Sequence, residues 1–289
     1  MRPTNLKTKI FLDSGSAEDT KIVLATLGFL DGQTTNPSLF VKNPKIQERL
    51  SRGEKFTKEE VNENYKKLIQ DIRKLIPEKS VSIEVYADKE THVEEILSQA
   101  REMNTWVEKP HIKLPITPAG LEAAYILSSE GLKINMTLIF QQEQAAAVYA
   151  ATQGSTKGDI FLSPFVGRLD DIGINGLSLI SDIQKIYSLG DAHVEILMAS
   201  VRGMNHFLKA LEAEVDIITV PKKLLLDWAE MGMPLTRINQ NSLDQDGLKN
   251  IKSENIKLDL EYTDYNIQHD LTDKGLKKFA DDWNNIIKK

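Results

Sequence analysis

Cysteine is absent from the 289 residues. That absence excludes disulfides, a thiolate nucleophile, iron–sulfur clusters and cysteine-ligated zinc. Long apolar runs are missing too, none approaching the roughly 20 residues that a membrane-spanning helix needs. The first nine residues are polar and lack the apolar run of a signal peptide, so a cytoplasmic location is expected. There is no basic excess: Lys and Arg number 36 against 42 Asp and Glu, a net charge of −6. Such a chain has no electrostatic reason to seek nucleic acid or an anionic membrane. An anionic small molecule must therefore be met by a few placed basic side chains. Phosphate loops of the GxGxxG or GxxxxGKS/T kind do not occur, and the five histidines are scattered with no i,i+4 pair.

What is present is ordinary globular composition, with 41% hydrophobic, 27% charged and 7% aromatic residues. The length suits two average domains or one α/β barrel of roughly 250 residues. The hydrophobic period switches repeatedly between two and 3.6, the habit of a βα repeat. Strands are predicted at 9–13, 30–33, 81–86, 111–114, 134–138, 160–163, 194–200 and 216–220. Helices are predicted at 17–27, stopped by Gly28, and from a Thr57–Glu60 capping box to near Pro77. Asp88 reads as the next cap, and Thr117-Pro118 opens a helix that Gly131 closes. Further helices are expected at 141–151, 180–189, 204–212 and after Pro221.

Eight strands each followed by a helix fit a closed (β/α)₈ barrel better than an open doubly wound sheet. No Pro/Gly/Ser linker or charge block divides the chain, so 1–289 reads as one domain. From about Met231 the rhythm is spent, and 231–289 is expected to be a C-terminal extension. Within it, 237–268 reads as a long polar surface connection. Thr272 then reads as the cap of a last helix with Leu276, Phe279, Trp283, Ile286 and Ile287 on one stripe. That stripe should pack on the barrel or, less simply, on a partner subunit.

In a barrel of this kind the active site lies where strands end at their C-terminal face. Asp13 ends the first predicted strand and Asn36 follows the second. Glu84, Lys113, Asn135 with Thr137, Ser163 and Ser200 lie in or at the end of the next five strands, and Arg168 and Arg202 lie just beyond. Alternation places Asn135 and Thr137 on one strand face, and Ser82, Glu84 and Tyr86 on another, opposite apolar neighbours. The apolar faces can pack under helices, so the polar faces point inward. Taken singly, a strand-end Lys is usually a solvated charge and an Asp or Ser there a turn or cap. Their convergence on one rim argues otherwise. An amine with two carboxylates is the equipment of Schiff-base chemistry.

The chain resembles the transaldolases, phosphosugar transferases of the class I aldolase type. The resemblance rests on Thr34-Thr35-Asn36-Pro37-Ser38-Leu39, on Ile112-Lys113-Leu114-Pro115 with Gly120-Leu121, on Asn135-Met136-Thr137-Leu138, and on Ser163-Pro164-Phe165-Val166-Gly167-Arg168. The tail from Leu271 through Lys278-Phe279-Ala280 is similar as well. The resemblance implies Lys113 as the Schiff-base lysine and Asp13 as the acid/base at the hydroxyl beside the cleaved bond. It implies that Glu84 and Thr137 share a catalytic water. Thr34, Asn36, Asn135 and Ser163 would hold the three-carbon ketone fragment, and Arg168, Ser200 and Arg202 the substrate phosphate. Phe165, beside the water, has no hydroxyl; the related fructose 6-phosphate aldolases carry Tyr there, and Gln at the position of Glu84. The implied activity is transfer of a dihydroxyacetone unit between sugar phosphates in the non-oxidative pentose phosphate pathway. The alternatives are a lyase that releases dihydroxyacetone and a silent sugar-phosphate-binding barrel.

An attacking lysine must be a free amine, and burial among neutral amides and hydroxyls would tune it to roughly 7–8. The protonated imine is itself the electron sink, so neither cofactor nor metal is expected. A homodimer is an expectation of the family resemblance. Two departures stand out: Gln141 where family members commonly carry Ser, and Pro115-Ile116 after the lysine.

Overall fold

The computed structural model describes residues 1–236 and 247–288. Eight parallel strands close a barrel in the order β1 (Lys9–Asp13), β2 (Gly32–Thr34), β3 (Ser80–Glu84), β4 (His111–Pro115), β5 (Lys133–Ile139), β6 (Ile160–Pro164), β8 (Val194–Met198) and β9 (Ile217–Val220). The fold is a (β/α)₈ barrel. A minor ladder, β7 (Ile174–Asn175) beside β10 (Lys249–Asn250), lies outside it.

Period-two alternation sorts the barrel's side chains. Ile10, Leu12, Ile83, Ile112, Leu114, Ile134, Met136, Leu162, Ile196 and Ile218 are buried under the helices. The other set fills the interior. Phe11 and Phe161 meet edge to face at 5.9 Å, and His111 stacks on Phe161 at 3.8 Å. Above them Thr34 reaches Thr219 at 2.6 Å, and Asn135 reaches Ser82 at 3.0 Å. The apolar residues were thus needed outside, beneath helices, and the polar ones were free to converge.

Local chemistry starts the helices as the sequence suggests. Ser16 accepts from Asp19 N–H and Gly28 closes α1 (Ala17–Leu27) with φ 76°. Thr57 and Glu60 form both bonds of the capping box of α4 (Lys58–Leu75), whose buried face is Val61, Tyr65, Leu68, Ile69 and Ile72. Asn36 and Asn43 cap two short helices, α2 (Pro37–Val41) and α3 (Pro44–Ser51), each opening on proline.

Three readings are corrected. Asp88 makes a turn with Glu90 and Thr91, and His92 caps α5 (Val93–Asn104), where Glu95 binds the His92 N–H. The helix expected at 180–189 is α9 (Gly176–Tyr187), because Asn175 caps it and Asp170 accepts from Gly176 N–H. His269, not Thr272, caps the last helix, α12 (Asp270–Asn285). Thr272 is buried inside it, donating to the Leu138 carbonyl at 2.9 Å and accepting from Gln144 at 3.0 Å.

Those bonds dock α12 on the barrel. Leu138 has φ 64° at a bulge of β5, which turns its carbonyl off the ladder and toward Thr272. Gln141 donates to the Asn266 carbonyl at 2.7 Å, and Gln142 to that of Lys252 at 2.9 Å. The glutamine that departs from the family pattern therefore anchors the chain leading into α12. Leu276, Phe279 and Trp283 are buried, as the stripe requires. Part of the expected polar connection, residues 237–246, lies outside the described residues. No helix among the described residues is long and apolar enough to cross a membrane.

Candidate active site

A cavity of about 670 Å³ opens at the C-terminal ends of the strands. Asp13, Thr34, Asn36, Lys113, Ser163, Phe165, Arg168, Ser200 and Arg202 all border it. Glu84, Asn135 and Thr137 do not; they are buried behind Lys113 in the barrel interior.

Register decides the centre. Lys113 pairs with Glu84 across β3 and β4, and its Nζ lies 2.8 Å from Glu84 Oε2. Both side chains are almost fully buried, so the lysine faces a carboxylate rather than only the neutral groups expected. Tyr65 OH accepts from the Glu84 N–H at 3.1 Å and bonds to Thr35 Oγ1 at 2.6 Å, which fixes this strand end. Burial raises the Glu84 carboxyl above the usual range, against the opposing pull of Lys113 and Arg168. Asp13 is raised for the same reason, against Lys113, the Thr34 hydroxyl at 2.8 Å and Lys42. Both carboxyls are thereby placed to exchange protons closer to neutrality.

Around this centre the polar groups are ordered. Ser163 donates to Asn135 Oδ1 at 2.7 Å, and Asn135 donates to Ser82 at 3.0 Å. Asn135 thus reaches the cavity through Ser163. Asn36 Oδ1 accepts from Leu39 N–H at 2.9 Å, which leaves its amide nitrogen for a ligand. Thr137 Oγ1 is buried with no hydrogen-bond partner among the described residues. A hydroxyl in that position can hold a water.

The basic wall is built by close approach of the short helix Val166–Asp170 to the segment that follows β8. Gly167 N–H donates to the Ser200 carbonyl at 3.0 Å, and a Cβ on Gly167 would lie 2.2 Å from that oxygen. Ser200 itself has φ 60°. This contact sets Arg168 and Arg202 on one side of the cavity. Arg202 is half-exposed and paired with Asp171 at 2.5 Å. Arg168 lies under aromatic rings, 5.1 Å from the Phe165 centroid and 5.3 Å from that of Phe279.

Sequence reasoning missed several lining groups. Phe279, read only as part of a packing stripe, borders the cavity with Leu271, Lys274 and Lys278 of α12, and Thr219 and Lys42 join them. Periodicity shows that one helical face is buried but not that part of it ends at a cavity. No cluster of His, Asp and Glu able to hold a metal ion occurs among the described residues.

Comparison with known proteins gives the family of the chain. The family model for transaldolase/fructose-6-phosphate aldolase matches residues 10–289. A probable transaldolase of Dehalococcoides mccartyi is 34% identical over 280 residues, covering 97% of this chain and 100% of that protein. One from Brucella ovis is 36% identical over 276 residues, covering 95% and 96%. Among solved structures, an enolase from Agrobacterium radiobacter superposes with a TM-score of 0.50 at 9% identity. It covers 75% of this chain and 52% of its own, and it shares the fold alone.

Proposed function

Because the chain belongs to the transaldolase/fructose-6-phosphate aldolase family, we propose that it is a transferase moving a dihydroxyacetone unit through a Schiff base on Lys113. The donor is a ketose phosphate such as fructose 6-phosphate or sedoheptulose 7-phosphate. The acceptor is an aldose phosphate such as erythrose 4-phosphate or glyceraldehyde 3-phosphate, as in the non-oxidative pentose phosphate pathway. The observation that carries the reading is the Lys113–Glu84 contact of 2.8 Å at a cavity bordered by Asp13 and Arg168.

Glu84 takes the ammonium proton, and the free amine adds to the C2 carbonyl of the ketose. Loss of water, with that proton returned to the departing hydroxyl through a water between Glu84 and Thr137, gives the protonated imine directly and leaves Glu84 as the carboxylate. Asp13 removes the C4 hydroxyl proton, the C3–C4 bond breaks, and its electron pair passes to the iminium nitrogen. An aldose phosphate leaves and an enamine remains on Lys113. The enamine carbon adds to the acceptor aldehyde, Asp13 returns its proton to the new alkoxide, and hydrolysis frees the product. Thr34 orients Asp13, and Ser163, Asn36 and, through Ser163, Asn135 hold the three-carbon unit. Arg168, with Ser200 and Arg202, meets the phosphate, since guanidinium donors suit its geometry.

A transferase must keep its enamine until an aldehyde arrives. Glu84 is ionisable and Phe165 offers no hydroxyl to the water, so protonation and release of the three-carbon unit are disfavoured. A coupled assay with fructose 6-phosphate, with and without erythrose 4-phosphate, tests this. Turnover should depend on the acceptor; rapid acceptor-independent release of dihydroxyacetone would make the protein a lyase.

A further inference from the structure

We propose that Gly275 and Phe279, one turn apart on α12, form the seat that aims the Arg168 guanidinium into the cavity, which makes the last helix part of the anion site. This rests on the reading of Arg168 as a phosphate ligand.

Two rings define the seat. Phe165 and Phe279 lie 5.1 and 5.3 Å from Arg168 Cζ, and each lies 5.9 Å from Lys113 Nζ. The guanidinium and the amine share the same two aromatic rings. No salt bridge to Arg168 occurs among the described residues, although Glu84, Asp171 and Asp282 act on it at longer range. A carboxylate partner would occupy its N–H groups and offset its charge. Ring faces hold the cation without doing either, so the planar fork stays available for bidentate contact with phosphate.

Gly275 supplies the clearance. A Cβ there would lie 2.5 Å from Arg168 Nη1 and 2.6 Å from Leu138 Cδ2, well inside the 3.4 Å of ordinary contact. Both opposing atoms end side chains, so alanine would displace the guanidinium more readily than it would unseat the helix. The helix is pinned one turn earlier by Thr272 on the Leu138 carbonyl. Its distance from Arg168 is thereby fixed, and a glycine at 275 keeps that distance usable.

The test uses the full-length chain with Gly275→Ala, Phe279→Leu, Phe279→Tyr, Arg168→Ala and the Gly275→Ala/Arg168→Ala double variant. KM and kcat are measured for fructose 6-phosphate and for unphosphorylated fructose, and inorganic phosphate serves as an inhibitor that reads the anion site alone. Gly275→Ala and Phe279→Leu should each raise the fructose 6-phosphate KM and weaken phosphate inhibition about tenfold, the scale of a desolvated cation–π contact. The loss on fructose should be much smaller for Gly275→Ala. Phe279→Tyr keeps the ring face and should restore phosphate inhibition. In the Arg168→Ala background, Gly275→Ala should add nothing. Additive losses in the double variant, or equal losses on both donors for Gly275→Ala, would overturn the seat. Should Gly275→Ala fail to fold, unchanged phosphate inhibition in Phe279→Leu would overturn it equally. If Arg168→Ala leaves phosphate inhibition intact, the phosphate assignment itself falls and the seat with it. If Arg168→Ala loses inhibition while Gly275→Ala and Phe279→Leu keep it, only the seat falls.

Discussion

Lys113 Nζ and Glu84 Oε2 lie 2.8 Å apart on adjacent strands, their side chains 4% and 3% exposed. The pairing follows from strand register, which sets Glu84 directly beside Lys113. A slip of one residue would send one of the two to the outer face.

The contact makes Lys113 the nucleophile to trap. Borohydride added with fructose 6-phosphate should inactivate the protein and leave a three-carbon adduct on Lys113, located by mass spectrometry of peptides. Lys113→Ala should give no adduct. Labelling of another lysine would remove the assignment.

Glu84→Gln should slow imine formation by about 10²-fold or more, the usual range for losing a general acid/base. Its pH profile carries the sharper signal. The Glu84 carboxyl is raised by burial, so its basic form is lost as pH falls through a value above the ordinary carboxylate range. The acid limb of kcat/KM should lie above that range and be altered in Glu84→Gln. An identical acid limb in both proteins would leave Glu84 without the proton role.

Arg202 differs from Arg168 in being half-exposed and paired with Asp171. A phosphate must compete with that carboxylate, and exposed pairs are weak, about 0–1 kcal/mol. Asp171→Asn should therefore lower KM for phosphorylated donors by a small factor, and Arg202→Ala should raise it. An unchanged KM for phosphorylated donors in Arg202→Ala would mean that Arg202 does not reach the phosphate.

Phe165→Tyr places a hydroxyl on the ring that overlies Lys113 at 5.9 Å. Dihydroxyacetone release from fructose 6-phosphate without acceptor should rise, read by direct product assay. An unchanged release rate would count against water orientation as the divide between transferase and lyase.

His111 gives a prediction about stability. It is buried, donates from Nε2 to the Gly158 carbonyl and accepts at Nδ1 from Ser80. Desolvation holds its pKa down at about 3, against an ordinary 6.5. The unfolded chain therefore binds the extra proton first. Stability is fully present above 6.5 and falls by about 1.4 kcal/mol per pH unit toward the folded value. His111→Gln should be less stable at pH 7, because it loses the stacking on Phe161, and the gap should narrow by pH 4.5 in urea melts. A gap independent of pH would show that the ring does not resist protonation.

The order of the eight barrel strands and their long helices was determined by the sequence alone, because period-two and period-3.6 patterns and caps such as Ser16 and Thr57 act over a few residues; the short helices such as Pro37–Val41 and Pro44–Ser51 were not read from it. So were the inward-facing polar groups Asp13, Glu84, Lys113, Asn135 and Ser163, which alternate with apolar neighbours that must pack under helices; Tyr86, expected on the same face as Glu84, lies past the end of β3 and bonds to Asp88 and Asn284 instead. Asp88 and Thr272 were misread because Asp and Thr satisfy turn, cap and tertiary partners equally well, and only packing selects among them. The tertiary structure decided what depends on distant segments meeting. It brought Glu84 onto Lys113, sent Asn135 and Thr137 behind the cavity, and placed Phe279 over an amine 166 positions away in the chain. Helical periodicity records that a face is buried, but the neighbour it is buried against is fixed by the closure of the barrel and the docking of α12 through Thr272.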